Sequence, residues 1–340
     1  MSSAKETSSR RARGVFGSSR RDAHRGDRRF HWGLRLCALA VIAILGGIFF
    51  QLSKQASPVL SKMGLSFFIS TEWDPVAESF GAGAFAYGTL VSSFLALLLS
   101  VPVSVGVALF LTELAPSRIS LAIGFLVEML AAVPSVVYGL WGIFVLAPWI
   151  RVSLGPLLRK FLGFLPLFQG PAYGVGMLAA GLILAIMITP TIASLCREVF
   201  RAVPVANREA ALALGATRWE SISWGVLGSS PSGILGAVVL GLGRALGETM
   251  AVTMVIGNRA EIAASLFAPA QTMASVIANE YAEASAEMHL SALAATGLAL
   301  FLVSIVINTG ARAVMRRVAS GPKRGKLGTL SKTASIEVRP

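Results

Sequence analysis

Long uncharged stretches alternate with short charged ones along this chain. Residues 36–53, 79–112, 129–150, 161–196 and 288–311 contain no Asp, Glu, Lys or Arg, and 225–256 is interrupted only by Arg244 and Glu248. A helix that crosses the hydrocarbon core of a bilayer needs about 20 apolar residues. The pattern therefore predicts six transmembrane helices, at 35–53, 84–111, 122–148, 173–196, 228–256 and 288–311. Pro102, Pro134 and Pro190 lie inside these runs and predict kinks. Ser135 and Gly139 predict close packing, and Tyr138 and Trp141 are expected as core or interfacial-belt aromatics.

Two charges break the fifth run. With that span starting near 228, Arg244 falls within about one turn of the bilayer middle. A charge at that depth costs about 2.5–3.5 kcal/mol on insertion scales. Arg244 and Glu248 are four residues apart and would share one helix face, so both are expected to point into the bundle or a wet pathway. Arg before Glu is the less favourable order for an intrahelical pair, which predicts partners elsewhere in the bundle. Arginine suits an oxyanion, because its fork is always protonated and holds two oxygens at once. The plainer alternative is a buried pair that fixes helix register. Function is preferred, because ionisable residues inside a membrane mark pathways more often than packing.

Composition agrees with a membrane protein. Charged residues make up 14% of the 340 and mean hydropathy is +0.70, where soluble domains carry about 25% charged residues. The net charge of +13 does not describe one basic face. Ten Lys/Arg lie in residues 1–35 and eight in 312–340. The tails 1–34 and 313–340 read as disordered, cytoplasmic and drawn to lipid headgroups, and nucleic acid is not expected as a partner. The first apolar run follows a basic tail too long for a signal peptide and is read as an uncleaved span. Cys37 and Cys196 have no metal-ligand spacing, His24, His31 and His289 are isolated, and no catalytic constellation presents itself.

Charge also orients the spans. With both termini inside, the inside segments carry 23 basic residues and the outside loops six, alongside seven acids; the positive-inside rule then selects cytoplasmic N- and C-termini. Arg151, Arg159 and Lys160 are the discordant cluster, in the loop 149–172. Outside loop 54–83 mixes Phe67, Phe68, Trp73 and Asp74, and reads either as a contact for an external binding protein or as a lid on the bundle. Glu128, near the start of the third span, would complement a helix dipole. Glu113 ends the second span.

Among the inside segments, 197–224 is the longest loop between spans. Residues 206–214 favour helix, and Gly215 can take the left-handed conformation that ends one helix and redirects the chain into another. The expectation is a helix–turn–helix that either docks in a groove on a partner or simply connects two spans.

Glu209-Ala210-Ala211, followed after three residues by Gly215, resembles the EAA loop of ABC importer permeases. In that family the loop seats in the ATPase. The family's following Ile-x-Leu-Pro is replaced here by Val226-Leu227-Gly228, with proline only at Pro231. Gly241-Leu242-Gly243-Arg244-Ala245-Leu246-Gly247-Glu248-Thr249-Met250-Ala251-Val252 is similar to the signature of PstC-type phosphate permeases. Met250-Ala251 sets it apart from the sister PstA type, which reads Gly-Glu-Thr-Ala-Pro. Further similarity runs through Trp73-Asp74-Pro75, Gly88-Thr89-Leu90, Leu111 to Pro116, Val133 to Gly142 and Thr189 to Ser194, in order over about residues 70–312.

The resemblance implies an all-α integral membrane protein with six transmembrane helices, in the MetI-like ABC importer permease fold with a cytoplasmic coupling helix. It divides the chain into a tail 1–34, a first helix 35–53, a periplasmic loop 54–83, a five-helix core 84–312 with the EAA-like loop at 197–224, and a tail 313–340. It implies a channel-forming subunit importing phosphate across the bacterial inner membrane. Arg244 and Glu248 would line the substrate pathway, and Glu209, Ala210, Ala211 and Gly215 would couple to the ATPase; Glu113 and Glu128 are weaker candidates. The implied partners are a PstA-like permease chain, a pair of ATPase subunits, a periplasmic phosphate-binding protein and membrane lipid. ATP and Mg would be used by the ATPase, with no cofactor and no metal on this chain, which has no Walker A sequence and is not expected to be an enzyme. The rivals are a permease of the same architecture for molybdate or sulfate, and a secondary transporter or scaffold without an ATPase. The latter needs no docking loop and often shows inverted repeats, which this sequence lacks.

Overall fold

The computed structural model describes the backbone of residues 3–319 and the side chains of 30–318. The chain divides into two units, residues 1–55 and 56–340. Helix α1 (Ser3–Met63) begins in the first and ends in the second. It is longer than the span 35–53 predicted from hydropathy, and its only proline is Pro58. Within the first unit Leu36, Ile42, Ile48 and Phe50 are exposed, as suits a helix surrounded by hydrocarbon. The predicted tail 313–340 lies mostly outside the described residues.

In the second unit a 3-10 turn (Gly64–Phe68) leads to a small antiparallel hairpin, β1 (Trp73–Asp74) and β2 (Ser79–Phe80), pairing Trp73 with Phe80. Helix α2 (Gly83–Leu109) runs into a π-helical turn, Phe110–Leu114. Helix α3 (Ser117–Ala132) follows; then α4 (Ser135–Trp141), α5 (Ala147–Trp149) and α6 (Gly155–Leu162) form one span with π-helical joints. Helix α7 (Met177–Arg201) leads to α8 (Val205–Ala213) and the single turn α9 (Arg218–Glu220). After a π-helical stretch, Ser221–Leu227, come α10 (Pro231–Leu246), α11 (Met250–Val255), α12 (Met273–Glu280) and α13 (Glu287–Ala319).

Among the described residues five helices are long and apolar enough to cross a membrane, and a sixth span results if α10 is counted with the stretch 218–227, from which it bends by 69°. The fold is all-α and multi-pass, as expected, but two boundaries differ. The predicted third span, 122–148, is split. Val133 is extended and Pro134 precedes α4, because a residue before proline is driven out of the helical region. The span runs instead over 135–162, so most of the predicted loop 149–172 is helical and contains Arg151, Arg159 and Lys160. The predicted fifth span, 228–256, is also interrupted. Pro231 starts α10, Gly247 caps it, and the chain leaves helical geometry before α11. Pro102 and Pro190 remain inside α2 and α7.

Helix α7 forms the centre of the second unit. Two-thirds of its most apolar window is buried (67%, against 28% for α2). Ile183, Leu184, Met187, Ile188 and Ile192 are fully covered, with α2, α3 and α10 packed around them. Ser104 on α2 donates to the Thr189 carbonyl (3.1 Å) and Thr189 donates to Ser100 (3.1 Å) beside Pro190. These hydroxyls tie α2 to α7 beside Pro190.

Candidate functional site

Arg244 occupies the last turn of α10, and Glu248 lies in the non-helical break between α10 and α11. The expectation that they share one helix face is therefore wrong: Gly247 ends the helix between them. Among the described residues no ion pair joins them. Arg244 Nη1 donates instead to Thr191 Oγ1 on α7 at 3.2 Å, a partner across the bundle as the residue order predicts. Glu248 Oε1 accepts from the Ala251 backbone N–H at 3.3 Å, at the start of α11. Both side chains are half-buried. Each charge sits where its own helix end favours it, a cation at a C-terminus and an anion at an N-terminus. Among the described residues the guanidinium's hydrogen bond is to a neutral hydroxyl, which leaves donors for an anion.

The loop after α7 is the expected helix–turn–helix. Gly215 has φ +84°, its N–H donates to the Leu212 carbonyl (2.9 Å), and the Ala216 N–H donates to the Ala211 carbonyl (3.1 Å). This is a Schellman ending, in which a left-handed residue satisfies the last free carbonyls. Thr217 then caps α9: its hydroxyl accepts from the Glu220 N–H (3.3 Å), and its own N–H donates to Glu220 Oε2 (2.7 Å). That amide, with the Thr217 hydroxyl, holds the Glu220 carboxyl below its ordinary range. Glu209 and Ala210 are exposed and Ala211 half-buried. Leu212, Leu214 and Trp219 are also exposed, Leu214 at 89%, an apolar tip that a solvated connector would not need.

Glu113 and Glu128 are not merely solvated ends. Glu113, in the π-helical turn after α2, grips Arg208 of α8, with Nη2 to Oε1 at 2.7 Å and Nε to Oε2 at 3.2 Å. Glu128 stands in the last turns of α3, not at the start of a span, so the helix-dipole account of it fails. It accepts from Arg197 Nη2 of α7 at 2.5 Å. Arg197 is 9% exposed and lies over Gly124, where a Cβ would sit 2.1 Å from Nη1. Arg197, Arg208 and Thr191 were not singled out from the sequence. Their signal was indirect: the segments assigned to the inside hold acids as well as arginines, so pairing among them was open to inference.

The hairpin packs on the bundle as a lid. Trp73 meets Phe80 and Phe85 edge-on at 5.0 and 4.9 Å between centroids. Its Nε1 donates to Glu280 Oε2 (2.8 Å), the oxygen that also meets His289 Nε2 (2.9 Å).

Residues 101–320 match the family described as "Binding-protein-dependent transport system inner membrane component". The chain belongs to this family. The stretch matched by the inner-membrane component family contains α8, Arg244 and Glu248, Glu113 and Glu128. Among curated relatives of this inner-membrane component, "Phosphate transport system permease protein PstC" of Mesorhizobium japonicum is 45% identical, over 86% of this chain and 90% of that one. The protein of the same name from Pasteurella multocida is 44% identical (85% and 91% covered), and PstC 2 of Mycobacterium tuberculosis 42% (86% and 93%). Among solved structures, the MetNI methionine ABC transporter in inward-facing conformations aligns with a TM-score of 0.45 at 18% identity, over 68% of this chain and 91% of that one.

Proposed function

We propose that this chain is the transmembrane, channel-forming subunit of an ATP-driven importer that moves inorganic phosphate across the bacterial cytoplasmic membrane. The observation that carries the reading is the identity of 42–45% with phosphate transport permeases over some 85% of the chain or more. The PstC-like stretch Gly241–Val252, around Arg244, supports it. The chain is a permease subunit and not itself the ATPase. It works with a PstA-like permease chain, two ATPase subunits that use ATP and Mg, and a periplasmic phosphate-binding protein. Both termini face the cytoplasm, by the excess of basic residues in the segments assigned there.

In this reading Glu209, Ala210, Ala211 and the exposed leucines after them seat α8 in the ATPase. Arg244 offers phosphate a transient counter-charge where hydration is lost. Its neutral tie to Thr191 leaves it able to bind and release an anion. Glu248 is bound to the start of α11 and does not occupy the guanidinium.

The test is reconstitution of the complete complex in vesicles with ATP on the ATPase side and loaded binding protein on the other. ATP-dependent accumulation of radiolabelled phosphate is expected, and excess sulfate or molybdate should not compete. Preferential uptake of either competitor would overturn the substrate assignment. A second expectation concerns the turn. Gly215→Val forces a β-branched residue into left-handed geometry, which costs about 1–2 kcal/mol. The variant should insert in the membrane normally but lose most co-purifying ATPase; full recovery of the ATPase would remove the docking role of α8.

A further inference from the structure

We propose that Arg208 and Glu113 form a fixed clasp that carries the movement of α8 directly into span α2, so that the ATPase stroke enters the bundle through this ion pair as well as along the chain. The inference rests on the reading of α8 as the ATPase-coupling helix.

Helix α8 has no buried residue. It cannot be held to the bundle by a hydrophobic face, and a helix that is to push must be held by something. Two side chains of its first turns make polar ties. Asn207 Nδ2 donates to Ser229 Oγ at 3.1 Å, one neutral hydrogen bond. Arg208 makes the other, and it is of a different order. Its Nη2 and Nε engage both oxygens of Glu113, Nη1 donates to the Val203 carbonyl (2.8 Å), and Nη2 also donates to the Phe200 carbonyl (3.0 Å). One guanidinium thus joins the end of α2, the end of α7 and the start of α8.

The partners are held in turn. Arg218 Nη2 donates to the Glu113 carbonyl (2.8 Å), and Ser221 Oγ donates to the Arg208 carbonyl (3.2 Å). The side chains are 22% and 11% exposed, so water screens this pair far less than an ordinary surface pair. A planar fork on a carboxylate also fixes orientation, which a lysine does not. The π-helical turn Phe110–Leu114 re-aims the end of α2 at the position where Glu113 meets α8. Helix α2 in turn packs along the central helix α7. A push on α8 therefore reaches the core of the bundle through Glu113, without first bending the segment 221–230.

The experiment uses the complete reconstituted complex and measures phosphate moved per ATP hydrolysed. Transport by the unmodified complex tests the reading on which the clasp rests; the ratio in the variants tests the clasp. Glu113→Gln keeps shape and removes charge, and Arg208→Lys keeps charge and removes the fork. Site-to-site couplings typically correspond to factors of about 5–150, and the ratio is expected to fall roughly tenfold in Glu113→Gln, less in Arg208→Lys, with ATPase still bound and still hydrolysing. An unchanged ratio in assembled Glu113→Gln complex overturns the clasp. Should Glu113→Gln fail to assemble, Arg208→Lys decides: a lowered ratio in assembled complex supports the clasp, and an unchanged ratio or failure to assemble overturns it in favour of a purely structural tie.

Discussion

Phosphate uptake by reconstituted complex should fall by a factor of about ten to a hundred when Arg244 is replaced by Gln, with assembly and ATPase binding intact. The magnitude follows from the loss of a charge-assisted contact, about 1.5–3 kcal/mol, at about 1.4 kcal/mol per tenfold. A glutamine amide ends two bonds short of the position from which Nη1 meets Thr191 Oγ1, so the substitution removes the counter-charge together with one neutral hydrogen bond. Stability should change little, because no described carboxylate is paired with Arg244 and none is orphaned by its loss. Arg244→Lys should be intermediate, since it keeps the charge but not the two-oxygen fork. The decisive measurement is the initial rate of labelled phosphate uptake at saturating binding protein. A near-normal rate for Arg244→Gln would remove the arginine from the pathway.

The largest effect on stability is expected from Gly88→Ala. A Cβ on Gly88 would lie 2.1 Å from the Gln271 carbonyl oxygen and 2.9 Å from its carbon. Both are backbone atoms and cannot rotate away. The segment cannot retreat either, because the neighbouring Thr89 Oγ1 accepts from the Met273 N–H at 2.9 Å and so ties the start of α12 to α2. Relieving the clash means breaking that buried bond or shifting a helix that packs on α7. Overpacking costs about 1–3 kcal/mol and occasionally more, and the upper end applies where backbone meets backbone. The midpoint of thermal aggregation in detergent should drop by several degrees, and the yield of membrane-inserted protein with it. An unchanged midpoint would mean that α2 and the 271–273 segment are not held at this distance.

That the chain crosses a membrane several times was legible because hydropathy over some 20 residues reports composition, and composition is what a bilayer selects. Helix direction was not. Residues 122–148 are almost uniformly apolar, yet Val133 and Pro134 divide them between two helices, and a window of averaged hydropathy does not register one extended residue. The run through Arg151, Arg159 and Lys160 misled in the opposite sense: three charges suggested a loop where the helix continues. Gly215 was legible in full, since only its left-handed geometry ends α8 as it does. Arg244 was singled out correctly as a residue with a partner across the bundle, but its relation to Glu248 was not, because spacing implies a shared face only if the helix is continuous. Glu113 and Glu128 show the deeper limit. Their partners Arg208 and Arg197 lie 95 and 69 residues away, and local pattern carries no information over that distance.

The break at Gly247 to Thr249 separates two charges and assigns one to each piece. If Arg244 and Glu248 had been bonded across it, any change of angle between α10 and α11 would have had to pull an ion pair apart in a medium of low dielectric, several kcal/mol at close range. As built, the cation travels with the carbonyl end of one helix and the anion with the amide end of the next. Among the described residues no ion pair spans the joint, so a change of angle between α10 and α11 would not have to break one.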